Sequence, residues 1–129
     1  MLDETERRQI EQLVRRYIRT HSRDFAELRA SGVIDLALLS HGALEHDDSR
    51  VRRSCLILLD HLGDQRHVQV FAAALRNDPV PRNRRHALHA LTCNKCKATQ
   101  MCVDVSADIR VAMTDPNPKV RTLAAALVS

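Results

Sequence analysis

The residues with the clearest chemical potential lie in HALHALTCNKCKATQMC, residues 86–102, where three of the chain's four cysteines occupy ten positions. Their spacing is Cys93-x2-Cys96-x5-Cys102. A Cys-x2-Cys step brings two thiolates onto one cation through a tight turn, which is half of a structural zinc site. Cys102 can return as a third ligand. A closed tetrahedron needs a fourth, and His86, His89 and Cys93 share one helical stripe at i, i+3 and i+7. His89 stands one turn from Cys93, whereas His86 is two turns away, roughly 10 Å. The expectation is therefore structural zinc held by Cys93, Cys96, Cys102 and His89. Binding would offset the cost of ordering a long connection, because metal-binding free energy becomes folding free energy. Other uses of the thiols stay open: free cysteines, a redox dithiol without the usual βαβ setting, or another metal. Cys55 lies far off in sequence and reads as a small buried packing residue.

A second group of residues is cationic. Net charge is +4, and Arg supplies 17 of the 20 basic residues. Residues 50–97 hold ten Arg or Lys against three Asp, a local net of +7. Such a bias steers a protein towards an acidic partner or a phosphate backbone. Arg50, Arg52 and Arg53 recur as Arg82, Arg84 and Arg85, so two ridges can meet phosphates at spaced intervals. Aromatics are only 2% of the chain, which leaves no base-stacking platform. His21, His41, His46, His61 and His67 fall near helix ends, where a structural or solvated role is expected. His41 and His46 flank Glu45, a weak signal for a second acidic-histidine site. No glycine-rich phosphate loop, nucleophile elbow or zincin motif occurs, so an enzyme reading rests on nothing local and stands third.

The elements that carry these residues follow from apolar spacing. The 129 residues suit one domain, and 44% are hydrophobic. With so few aromatics the core must be built from Leu, Val, Ile and Ala, which suit helices packed on helices. Helical periodicity predicts helices over about 3–20, 23–30, 33–44, 50–62, 65–76, 82–92, 103–114 and 119–128, with the cysteine segment at 93–102. Asp48 or Ser49 is a natural N-cap, and Gly63 a natural stop. The opening DETERRQIEQ is charged rather than apolar, and no stretch reaches the roughly 18 apolar residues of a membrane span. A soluble, cytoplasmic chain without membrane contact is expected.

The helices repeat. VRRSCLILL from Val51, NRRHALHAL from Asn83 and VRTLAAALV from Val120 align without gaps. Arg52, Arg84 and Arg121 share one column, and Cys55, Ala87 and Ala124 share a small-residue column. An acidic turn precedes each segment. DPNPKVRTLAAAL resembles a HEAT or HEAT-like repeat, with Asp capping the helix, Pro starting it and the small residue admitting its neighbour. The resemblance implies an all-α, right-handed α-solenoid of antiparallel helix pairs, with 1–20 as an N-terminal capping helix, 22–46 as a degenerate pair and 47–129 as clearer repeats. Asn83 departs from the pattern, since the family has Val there.

The resemblance implies a non-catalytic protein-interaction or scaffold module with an unidentified protein partner. The apolar C-terminal helix adds the expectation of self-association through that face. HEAT-like folds also include DNA-alkylation glycosylases that hold duplex DNA. The alternative is therefore a nucleic-acid-binding solenoid using Arg50, Arg52, Arg53, Arg82, Arg84 and Arg85. In this family the repeat Arg commonly pairs with the Asp of a neighbouring turn, and both partners are present here.

Overall fold

In the computed structural model, residues 1–93 and 102–128 are described. Among them the chain forms eight α-helices and no strand: α1 Glu4–Tyr17, α2 Phe25–Ser31, α3 Leu36–Glu45, α4 Ser49–Leu62, α5 Val68–Asn77, α6 Pro81–Thr92, α7 Ser106–Met113 and α8 Pro118–Val128. The all-α expectation holds.

Local chemistry sets the boundaries. Asp3 and Glu6 form a reciprocal capping box at the start of α1. The expected helix from residue 33 begins at Leu36, because the Asp35 carboxylate accepts from the Leu38 N–H and caps it. Asp48 takes the cap of α4, accepting from the Arg50 N–H at 2.8 Å. The expected 65–76 helix is two elements, a 3-10 turn over Gln65–His67 capped by Asp64 and then α5. Prolines open α6 and α8, where their missing N–H costs nothing. The helix expected from 103 starts at Ser106, since Asp104 Oδ1 takes both the Ser106 N–H and hydroxyl in a local turn. Gly32 ends α2 with φ of 66°, a left-handed conformation that glycine adopts without strain.

The helices lie in two series. In one, α4 packs on α6 and α6 on α8; in the other, α3 packs on α5 and α5 on α7. The strongest packing between the series joins α3 with α4, α5 with α6 and α7 with α8, across the acidic turns. Helix α1 sits on α3 and α4, and α2 on the far end of α4. There Phe25 stacks on His61 with ring centroids 4.3 Å apart, and Arg29 donates to the His61 carbonyl.

The core between the series is aliphatic, with Leu39, Leu56, Leu58, Leu59, Leu75, Leu88 and Leu91 buried around Phe71. Each such side chain contributes roughly 1.5–3 kcal/mol by leaving water. The small-residue column faces the interior: Cys55, Ala87 and Ala124 are all fully buried. Opposite Cys55 stands Gly42 of α3. A Cβ there would lie 2.8 Å from both Cys55 Sγ and Ile10 Cγ2, so α1, α3 and α4 meet only because position 42 lacks a side chain. Among the described residues no helix is long and apolar enough to cross a membrane.

Candidate functional site

The arginine column of the repeat is a ladder. Arg52 in α4 reaches Asp78 in the turn before α6, with Nε to Oδ2 at 3.0 Å and Nη2 to Oδ1 at 3.3 Å. Arg84 in α6 repeats the contact on Asp115 before α8, at 2.8 and 3.0 Å. Each arginine also turns a second arm to its own turn. Arg52 Nη1 donates to the His46 and Asp47 carbonyls, Arg84 Nη1 to the Asp78 carbonyl, and Arg121 Nη1 to the Asp115 carbonyl at 2.7 Å. The carboxylates are used twice as well: Asp78 accepts from the Val80 N–H and Asp115 from the Asn117 N–H, which shapes each turn. Bidentate guanidinium–carboxylate pairs are the strong class of charge-assisted bond. Burial pushes the Asp115 carboxyl up, but the Arg84 hydrogen bonds, the Asn117 N–H and the nearby guanidinium charges outweigh it and hold the group below its ordinary range.

Two members of this network were not legible as such in the sequence. Asn83 stands in the valine column yet is fully buried and polar. Its amide donates to the Ser49 carbonyl at 3.0 Å and to Asp78 Oδ2 at 3.1 Å, and its Oδ1 accepts from Arg53. A buried amide is stable there because its partners are supplied. His46 stands six residues before Arg52, as Asp78 stands before Arg84 and Asp115 before Arg121. It does the aspartate's work at the turn, with Nδ1 accepting from the Asp48 N–H at 3.0 Å. The neutral ring therefore carries its proton on Nε2. That atom is buried and lies 3.3 Å from Glu11 Oε1 of α1, close but not aligned for a hydrogen bond. The suggested site around Glu45 is not assembled: His41 and Glu45 are exposed, while His46 faces Glu11.

The six arginines of the expected phosphate ridge fall into two sets. Arg52 and Arg84 have side chains only 11% exposed and are committed to the ladder carboxylates. Arg50, Arg82 and Arg85 are exposed, and Arg53 is half-buried. Lys119 continues the Arg50–Arg82 column onto α8. Burial first, then repulsion from Arg82 and Arg50, lowers the Arg53 pKa, so these cations crowd one face. His86 is also pushed down, by burial and then by Arg53, Arg82, His89 and Arg85. On this face α4, α6 and α8 line a groove of about 470 Å³, with Ile57, Asp60 and His61 from α4, Arg82, Arg85, His86 and His89 from α6, and Leu123 from α8.

Of the expected zinc ligands, Cys93 caps the end of α6 and is half-buried, and Cys102 is exposed ahead of α7. Cys96 lies outside the described residues. His89 Nε2 lies 3.4 Å from Asp60 Oδ2 across the groove. Among the described residues no group of three His, Cys, Asp or Glu is placed to hold a metal. Cys55 is buried and its thiol is pushed up to about 12 by desolvation. Comparison with protein-family models, with curated proteins and with solved structures finds no match to this chain.

Proposed function

We propose that this chain is a short α-solenoid of HEAT-like helix pairs that works as a non-catalytic protein-interaction module in the cytoplasm. The observation that carries this reading is the recurring rung: the same arginine column grips the same acidic turn position in successive units, Arg52 with Asp78 and Arg84 with Asp115. Such rungs fix the spacing of neighbouring pairs and present one helix from each on a common face, which is how repeat arrays make extended binding surfaces. In the proposal, Cys93, Cys96 and Cys102 hold a structural zinc between α6 and α7. His89 serves as fourth ligand in this reading, and the Asp60 carboxylate 3.4 Å from its Nε2 is the kind of partner that a metal-bound histidine's second nitrogen takes. Self-association through the last two helices belongs to the same reading, since Val111, Met113, Leu127 and Val128 are exposed there.

The test is purification from the native cell with nuclease treatment, followed by reconstitution from pure components. A protein partner that survives nuclease and rebinds stoichiometrically supports the module. Association that disappears with nuclease supports the second reading, a nucleic-acid-binding solenoid. One observation favours that alternative: Arg50, Arg82 and Lys119 share one repeat column and are all exposed. Against it, Arg52 and Arg84 reach phosphate only by breaking their carboxylate pairs.

A further inference from the structure

Exposed cations gather on the α4–α6–α8 face. Among the described residues none of Arg50, Arg82 or Arg85 makes an ion pair, and residues 94–101 contain no Asp or Glu. Like charges held together destabilise the free protein, and an anionic ligand relieves that repulsion. The groove beside them is not uniformly basic. Ile57 and Leu123 give it apolar ground, and Asp60, with a side chain only 7% exposed, stands across from Arg82 and Arg85 beside His89.

We infer that this groove binds a short acidic–apolar segment of a partner protein, with its carboxylates on Arg82 and Arg85 and an apolar side chain against Ile57 and Leu123. The inference rests on the interaction-module reading and names the partner's chemistry. A peptide suits the mixed lining better than a nucleic acid does. A polyanionic backbone makes no use of Ile57 and Leu123, whereas a peptide can set an apolar side chain there. Among the described residues the lining also contains no Trp, Tyr or Phe on which bases would stack.

The test uses the full chain and fluorescence anisotropy with three probes: a short labelled peptide rich in Glu and Leu, its counterpart with Lys for Glu, and mixed-sequence duplex DNA. The Glu-Leu peptide is expected to bind at low salt, to weaken towards about 0.15 M salt, and to lose about tenfold or more in affinity in the Arg82→Glu/Arg85→Glu variant. Both side chains are exposed, and an unchanged thermal unfolding curve shows that the variant folds. Arg110→Glu, an exposed change on α7, is expected to leave binding within about twofold. Absence of peptide binding, equal binding of the Lys peptide, tighter binding of the duplex, or indifference to the double substitution each overturns the inference. If a reconstituted native partner still binds the double variant, the groove assignment fails while the module reading stands.

Discussion

At the residue scale, Asn83 shows how three-dimensional partners can overrule a column. The repeat pattern calls for Val, yet the amide is the hinge between Asp78, Ser49 and Arg53. Asn83→Val is therefore expected to destabilise by about 1–3 kcal/mol in urea unfolding, because Asp78 and the Ser49 carbonyl lose a buried donor. A variant as stable as the parent would contradict this network. The same limit applies to the arginines. Arg52 and Arg53 are neighbours of one type; the repeat column marked the first for a carboxylate, but only the fold shows that the second turns to Asn83. Cys55 was legible as a packing residue from its small-residue column. Its burial predicts that a thiol reagent leaves it unmodified in the native protein and reaches it only after denaturant. Labelling of Cys55 in native buffer, mapped by peptide mass, would show that the column opens.

At the element scale, helix positions and types were legible because caps and apolar spacing act locally. Boundaries moved where side chains intervened, as Asp35 does at α3 and Asp104 before α7. The acidic turns were legible as caps, and the family resemblance pointed to a neighbouring-turn Asp as the arginine's partner; what the sequence left open was the bidentate geometry of a contact spanning 26 residues for Arg52 and 31 for Arg84. The Asp115 carboxyl is held below its ordinary value of 3.8 in the folded chain. Its stabilising contribution is therefore full above that value and is lost as pH falls through the lower folded pKa. Asp115→Asn should flatten the acid limb of stability against pH in that window; an unchanged limb would mean that the Arg84 rung contributes nothing there. Close approach of elements gives a second prediction. Gly42→Ala places a Cβ against Cys55 and Ile10 and should cost about 1–3 kcal/mol by overpacking, measured by denaturant midpoint.

At the scale of the whole molecule, the alignment of Val51, Asn83 and Val120 made the serial arrangement of α4, α6 and α8 legible, since equal columns must meet equal neighbours. The groove was not legible, because it needs Asp60 and Leu123 from two different helices beside Arg82 and Arg85. The zinc proposal predicts about one zinc per folded chain after chelator-free purification, with loss of thermal stability on chelation; less than about 0.2 per chain in folded protein would refute it. The central claim is that one rung repeats and frames the array. It is tested most directly by double-mutant cycles at both rungs, Arg52→Met with Asp78→Asn and Arg84→Met with Asp115→Asn, since Asn keeps the acceptor for the turn N–H. Coupling of about 1–3 kcal/mol at each rung is predicted. Coupling below about 0.5 kcal/mol at either rung, with the other intact, would contradict a repeating frame.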